Sequence, residues 1–139
     1  MTPEKMAKLH SNSEANHRIW DAREFADLLC SSGVFAECHK YGFALARVIA
    51  SEAELLLLVT EKKMKNTGLA TNCLLKIEKK IVQNGARKLT LEVSESNKAA
   101  INVYKKLNYK KVSVRKSYSR DKNGKLENAL VMQKDLLLI

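Results

Sequence analysis

Hydrophobic and polar positions change their period sharply between residues 54 and 83. Leu55 to Val59 is a short continuous apolar run, which favours a strand buried on both faces. Residues 61–66 are polar and mostly basic, and beyond Gly68 apolar residues recur at helical spacing until Asn84-Gly85. The helical positions are Ala70, Leu74, Ile77 and Ile81. This stretch therefore predicts a strand, a loop and a helix that begins near Gly68.

The same patterns predict three more helices and five more strands. One helix covers residues 2–10, with Thr2 as its cap and Pro3 in its first turn, and a second follows the cap Asp21. The third covers residues 97–107. Beside the strand already described, which covers residues 54–60, strands are predicted from Val34 and over residues 42–50, 88–93, 109–118 and 128–136. Short connections favour antiparallel pairing, and the strand–helix–strand unit implies one parallel pair, so the fold class is α+β with a mixed sheet.

Lys88 to Val93 shows the clearest alternation in the chain. Leu89, Leu91 and Val93 share one face, and Glu92 lies on the other. The alternation thus turns the Glu92 carboxylate away from the apolar face. A surface glutamate on a half-exposed strand is the simplest reading of this position, because most charged strand residues face water.

Length and composition favour a single domain over residues 1–139. No low-complexity linker divides the chain, and no apolar run approaches the ~20 residues that span a bilayer. The first residues do not have the pattern of a signal peptide. A cytoplasmic protein without a membrane partner is expected.

The cysteines and histidines do not form a metal or disulfide pattern. Three cysteines without a C-x-x-C spacing indicate free thiols, so no metal is predicted. Cys73 shares a helix face with Ala70 and Ile77, which favours a small buried residue over a nucleophile. The scattered histidines are interpreted as surface or loop residues. The other two cysteines are Cys30 and Cys38, and the three histidines are His10, His17 and His39.

The formal net charge of +10 implies attraction to an anion: nucleic acid, a membrane surface or a phosphorylated cofactor. Lysines are spread over nearly every segment and aromatic residues make up only 6%, which argues against a stacking platform for single strands. A solvated surface explains most of the charge. The exception is Lys62, Lys63 and Lys65 before Gly68, where a helix N-terminus would attract a phosphate. The Gly-Lys-Ser/Thr of a P-loop is absent there.

Lys65-Asn66-Thr67-Gly68-Leu69-Ala70 resembles the Q/R-x-x-G-x-G/A loop that holds the acyl-CoA pyrophosphate in the GNAT superfamily of N-acetyltransferases. The surrounding residues are similar in order and spacing to the ribosomal-protein alanine N-acetyltransferases, from Trp20 onward. The residues that carry this similarity are Glu52-Ala53-Glu54-Leu55-Leu56, Leu91-Glu92-Val93, Ser96-Asn97, Ala99-Ala100-Ile101, Tyr104 and Leu107.

The resemblance implies a mostly antiparallel sheet with helices on both faces and a parallel pair at the cofactor cleft. The family's first strand would be short or absent. In the family, the strand that corresponds to residues 55–60 carries a bulge and diverges from the strand that corresponds to residues 88–93. The pantetheine arm of acetyl-CoA enters the gap between these two strands. The expected cofactor-binding residues are Leu58, Val59, Thr60, Lys65, Asn66, Thr67, Gly68, Leu69, Ala70, Asn97 and Tyr104.

By the same resemblance, Glu92 is the general base and Tyr104 the proton donor to the leaving thiolate. A free backbone N–H near Thr60 would stabilise the oxyanion. An α-amine, with a pKa of ~7.7–8.0, needs less help from a base than a lysine at ~10.4. Asn97 lies two helical turns before Tyr104, so both would project from one face. The simpler alternatives are core packing for Tyr104 and helix capping for Asn97.

The sequence departs from the family pattern at Lys65, Asn108, Ser119 and Asn128. Asn108 replaces the usual glycine before an aromatic, and Asn tolerates positive φ better than most residues. The last two departures fall on the expected acceptor side.

We therefore expect acetyl transfer from acetyl-CoA to a protein N-terminal α-amine, namely that of the N-terminal alanine of a small-subunit ribosomal protein. The rivals are acetylation of a lysine or small-molecule amine, and a non-catalytic basic module that binds RNA. No specific nucleic acid is expected as a partner of the enzyme, which would be a monomer or weak dimer.

Overall fold

The computed structural model describes residues 1–13, 19–120 and 123–136, which form one mixed sheet with helices on both faces. The helices are α1 (Pro3–Ser11), α2 (Ala22–Leu29), α3 (Leu69–Gln83) and α4 (Lys98–Lys106), with a 3₁₀ turn at Lys62–Met64. The strands are β1 (Val34–His39), β2 (Gly42–Ile49), β3 (Glu52–Thr60), β4 (Lys88–Ser94), β5 (Lys110–Arg120) and β6 (Leu126–Asp135). Their order in the sheet is β1-β2-β3-β4-β6-β5, and only β3 and β4 pair in parallel. The predicted fold class is confirmed.

The predicted helix starts are built as expected. The Thr2 hydroxyl accepts a hydrogen bond from the Lys5 N–H at 3.1 Å, and Pro3 occupies the first helical position. Asp21 and Glu24 form a reciprocal capping box, in which each side chain accepts from the other residue's N–H. Caps of this kind stabilise a helix by roughly 1 kcal/mol each.

The hydrophobic core is divided by the sheet into two clusters. The α3 cluster lies under α3 and α4 and includes Leu74, Ile77, Leu91 and Tyr104. The α1 cluster lies on the other face, under α1 and α2. Its buried members are Met6, Leu9, Phe25, Phe43, Leu45, Leu57 and Val59.

Strand β3 contains the expected bulge. Leu45 pairs with Leu57 and Ala46 pairs with Leu55, which leaves Leu56 as an extra residue on β3. The bulge changes the alternation, because Leu56 and Leu57 both pack against the α1 cluster while Leu55 belongs to the α3 cluster. The bulge therefore changes the direction of β3 beyond Leu57 and the face to which its side chains point.

Strands β3 and β4 separate soon after they meet. They pair only from Glu52↔Lys88 to Glu54↔Thr90, whereas β4 pairs with β6 along its whole length. From Leu55 and Leu91 onward the described chain shows no pairing between β3 and β4. A gap therefore opens through the middle of the sheet, and we call it the cleft.

The prediction that the histidines are surface or loop residues was wrong for His10. His10 is fully buried, because Met6, Leu9 and His10 follow helical i, i+3, i+4 spacing and face the α1 cluster together. Its Nδ1 accepts the Trp20 N–H at 3.2 Å. His39 is also not a free surface residue: it is half-buried at the end of β1. His17 lies outside the described residues.

The cysteines are free thiols, as predicted. Cys73 is buried, and its thiol donates to the Glu37 carbonyl oxygen at 3.4 Å. Burial raises the pKa of Cys73 to about 12, so its thiol stays protonated and is a poor nucleophile at neutral pH. Among the described helices, none is both long and apolar enough to cross a membrane.

Candidate active site

The cleft encloses a volume of about 710 Å³, within the range of ~300–1,000 Å³ that is usual for ligand sites. Its walls are the diverging parts of β3 and β4. On the α3 side of the sheet it is closed by α4 and by the loop before α3. On the opposite side it reaches Trp20 and Tyr118. Two molecules entering from opposite faces would meet in the middle of the sheet.

The loop before α3 is shaped as an anion cradle. Asn66 and Gly68 have φ values of 64° and 83°, and α3 begins at Leu69 without a side-chain cap. The first bond of this helix runs from the Asn72 N–H to the Gly68 carbonyl oxygen, so no acceptor in the described chain bonds the N–H groups of residues 69–71. A Cβ placed at Gly68 would meet nothing within 4 Å. Free N–H groups beside open space suit a phosphate group.

The lysines before α3 do not act as one cluster. Lys65 lines the cleft, whereas Lys62 and Lys63 border a separate, shallower depression beside Asn12. Lys63 also lies 3.6 Å from the Glu61 carboxylate. The expected positive loop is therefore reduced to one lysine that faces the cleft.

The edge of β3 presents free backbone donors to the cleft. The Glu61 N–H donates to the Tyr41 carbonyl oxygen at 2.8 Å, on the β2 side of the strand. Because N–H directions alternate along an extended strand, those of Leu58 and Thr60 point the other way. They face the cleft, where β4 does not pair with β3.

Val59 is placed away from the cleft, although we predicted it as a cofactor-binding residue. Its side chain is 3% exposed and packs in the α1 cluster, because it alternates with Leu58 and Thr60 along β3. Every other predicted site residue lines the cleft: Leu58, Thr60, Lys65, Asn66, Thr67, Gly68, Leu69, Ala70, Glu92, Asn97 and Tyr104.

Glu92 lies on the face of β4 opposite to Leu91 and Val93, as its alternation predicted. The Glu92 side chain is 32% exposed and its Oε1 is 3.1 Å from Nε of Arg115 on β5. No other partner of the carboxylate lies in the described chain. One carboxylate oxygen is thus held and the other is available to a ligand.

Tyr104 approaches the cleft from the α3 side of the sheet. Its ring is 6% exposed and contacts the Tyr109 ring edge-on, with the centroids 5.7 Å apart. Its hydroxyl has no hydrogen-bond partner within the described residues. Burial raises the pKa of Tyr104, so the hydroxyl remains protonated at neutral pH. Asn97, at the start of the same helix, accepts the Ala100 N–H at 3.3 Å and is a cap as well as a cleft residue.

A buried polar network supports Tyr109 behind Tyr104. The Tyr109 hydroxyl donates to Glu78 Oε2 at 2.7 Å, and Lys134 Nζ donates to Glu78 Oε1 at the same distance. Burial, and then the Glu78 carboxylate, raise the pKa of Tyr109. Asn108 adopts the expected positive φ, at 73°, so the turn before Tyr109 survives without glycine.

Sequence reasoning missed the residues that β5 contributes. Tyr118 and Arg120 line the cleft, and Arg115 contacts Glu92. Their positions depend on an irregularity in β5 that has no signal in the hydrophobic pattern. Trp20, which precedes α2, also lines the cleft.

Residues 32–118 match the family described as FR47-like protein. A relative from Haemophilus influenzae, named [Ribosomal protein bS18]-alanine N-acetyltransferase, is 33% identical over 91 residues. That match covers 66% of this chain and 62% of the relative. The Escherichia coli protein of the same name is 26% identical over 140 residues, which cover 94% of this chain and 90% of that protein.

The fold is similar to that of the ribosomal-protein-S18-alanine N-acetyltransferase from Escherichia coli, whose structure is known. The TM-score is 0.80 at 24% identity, over 96% of this chain and 88% of the other. The six-stranded sheet with its single parallel pair thus agrees with a solved acetyltransferase. The chain belongs to the FR47-like family of GNAT acetyltransferases, enzymes that take acetyl-CoA as their acyl donor.

Proposed function

We propose that this protein acetylates a protein N-terminal α-amine, and that its acceptor is the terminal alanine of a small-subunit ribosomal protein. The observation that carries the proposal is the cleft itself. It joins an anion cradle on one side of the sheet to a carboxylate on the other. The relatives named as alanine N-acetyltransferases for ribosomal protein bS18 support the choice of acceptor.

The residues of the cleft fit acetyl-CoA. Lys65 and the N–H groups at the start of α3 would bind the pyrophosphate, with Asn66, Thr67 and Gly68 shaping the cradle. Leu58 and Asn97 would contact the pantetheine arm between β3 and α4. The thioester supplies an acetyl group that is already activated, so the chain has mainly to orient the reactants and stabilise charge.

Three groups of the chain would stabilise charge or transfer protons during the reaction: two backbone N–H groups, a carboxylate and a phenol hydroxyl. The N–H groups of Leu58 and Thr60 would donate to the oxyanion that forms as the amine nitrogen attacks the acetyl carbon. Glu92 would accept the proton of the amine, and Tyr104 would donate to the sulfur as the carbon–sulfur bond breaks. An N-terminal amine needs only a modest base, because its pKa of ~7.7–8.0 is close to neutral.

A panel of peptides tests the proposal. Acetyl-CoA turnover would be measured with peptides that begin with Ala, Ser or Met, and with the Ala peptide blocked at its N-terminus but carrying an internal lysine. We expect turnover with the free Ala terminus and a loss of at least ~10-fold on blocking it. Equal turnover with the blocked peptide would indicate lysine chemistry. The absence of turnover with every peptide, from folded protein that binds RNA, would support the non-catalytic rival.

A further inference from the structure

Arg115 reaches Glu92 across an intervening strand. In the sheet, β6 lies between β4 and β5, and Glu92 pairs with Val131 whereas Arg115 pairs with Ala129. The Arg115 side chain therefore spans two strand spacings, ~9.6 Å, and an offset of two residues along the strands. The residue opposite Arg115 on β6 is Ala129, which is almost fully buried. Because Ala129 is small, the guanidinium can cross β6 and place its Nε 3.1 Å from Glu92 Oε1.

A bulge in β5 holds the guanidinium from its other side. Arg115 pairs with Ala129 and Ser119 pairs with Glu127, so β5 has two residues more than β6 between these points. Ser117, within the bulge, has a φ of 51° and donates its N–H to Asn128 Oδ1 at 3.0 Å.

The bulge brings Tyr118 onto the face of the sheet where Arg115 lies. Residues three apart on a regular strand point to opposite faces, yet the Tyr118 ring centroid lies 4.6 Å from Arg115 Cζ. Stacking on an aromatic face restricts a guanidinium, because its plane and charge both favour that contact. Arg115 is therefore held between the Tyr118 ring and the Glu92 carboxylate.

We propose that Arg115 is a positioning residue for Glu92 and that Tyr118 and the Asn128-stabilised bulge hold Arg115 for this task. The Arg115 guanidinium forms an ion pair with Glu92 Oε1, and Oε2 is left for the acceptor amine. The inference rests on the proposed function, in which Glu92 is the base. It assigns a purpose to Asn128, which had stood only as a departure from the family pattern.

A role in stability alone does not account for this arrangement. The side chains of Arg115 and Glu92 are 51% and 32% exposed, and exposed ion pairs contribute little to stability. Substitution of Arg115 should therefore leave the melting temperature nearly unchanged. A large loss of activity in such a variant would have to arise in the site.

A double-mutant cycle tests the proposal, with Arg115→Ala made in the wild type and in Glu92→Gln. In the wild type, kcat should fall by about 10- to 100-fold, as expected for a misplaced catalytic group, with the KM for acetyl-CoA unchanged. In Glu92→Gln the same substitution should cause no further loss, because the base is already absent. Arg115→Lys should recover part of kcat. Lys110→Ala, which removes an exposed cation on the same strand outside the bulge, is the matched control and should leave kcat unchanged.

The outcomes of these experiments distinguish a failure of the positioning role from a failure of the proposed function. If Arg115→Ala lowers kcat by the same factor in both backgrounds, Arg115 acts on the acceptor directly and the positioning role is overturned. Wild-type kcat in Arg115→Ala overturns it as well. A wild-type protein that turns over no α-amine peptide overturns the proposed function and this inference together, and full kcat in Glu92→Gln overturns the assignment of the base on which the inference depends.

Discussion

Tyr104 and Tyr109 contact each other but use their hydroxyls differently, which makes them a matched pair. The Tyr104 hydroxyl lies at the cleft without a hydrogen-bond partner in the described chain, whereas the Tyr109 hydroxyl donates to the buried Glu78. Replacing each with Phe keeps the ring and removes one oxygen. We predict opposite outcomes: Tyr104→Phe loses activity and keeps stability, and Tyr109→Phe loses stability and keeps activity.

The burial of Tyr104 limits how far kcat should fall in Tyr104→Phe. General acids contribute typically ~10²–10⁴-fold. Burial raises the pKa of Tyr104, so complete transfer of its proton to a thiolate is unfavourable and a charge-assisted hydrogen bond to the sulfur is the main contribution. Such bonds are worth ~1.5–3 kcal/mol, which corresponds to about 10- to 150-fold. We therefore expect kcat to fall by roughly 10²-fold in Tyr104→Phe, the lower end of the range.

The stability effects follow from the hydrogen bonds. Tyr104→Phe leaves no buried group unpaired, so its free energy of unfolding should change by less than ~0.5 kcal/mol. Tyr109→Phe removes a donor from a buried carboxylate and should cost ~1–3 kcal/mol. Steady-state kinetics and urea unfolding of both variants provide the assay. Wild-type kcat in Tyr104→Phe, or a larger loss of kcat in Tyr109→Phe than in Tyr104→Phe, would refute the assigned role of Tyr104.

Three further variants test other parts of the account. Glu92→Gln should lower turnover at neutral pH and recover as the pH rises through the amine's own pKa of ~7.7–8.0; a deficit that stays constant up to high pH would remove Glu92 as the base. Gly68→Glu should weaken CoA binding at least ~10²-fold by calorimetry, because a side chain and a negative charge enter the cradle. Gly124→Glu, at a φ of 80° in similarly open space, is its control, and equal CoA affinities of the two variants would exclude the loop from the site. Lys134→Met should lower the free energy of unfolding by about 3 kcal/mol, because the buried Glu78 carboxylate loses its cationic partner, and a change below ~1 kcal/mol would contradict that interpretation.

Hydrophobic periodicity predicted the elements well because each obeys one period over most of its length. The alternation of Lys88 to Val93 placed Glu92 on the correct face, and the caps Thr2 and Asp21 marked real helix starts. The position of His10 could have been predicted from its spacing to Met6 and Leu9, which share its buried helix face.

The missed features arise where strands depart from regular pairing. The bulge at Leu56 was expected only from the family resemblance, since a run of four leucines does not reveal which one is extra. The bulge between Arg115 and Ser119 has no such signal, because it is built from polar residues on an exposed edge strand and stabilised by Asn128. The Glu92–Arg115 contact depends on the strand order of the sheet, which the hydrophobic pattern does not specify.

We propose above all that the cleft delivers an acetyl group to an N-terminal α-amine. The most direct test of this proposal is to incubate the full chain with acetyl-CoA and a peptide that carries both a free N-terminal alanine and an internal lysine, and to locate the acetyl group by tandem mass spectrometry. We expect the added acetyl group on the α-nitrogen. In Glu92→Gln at neutral pH, the yield of this product should fall by the same factor as kcat. Acetylation of the lysine ε-nitrogen by the folded protein, or of neither nitrogen, would contradict it.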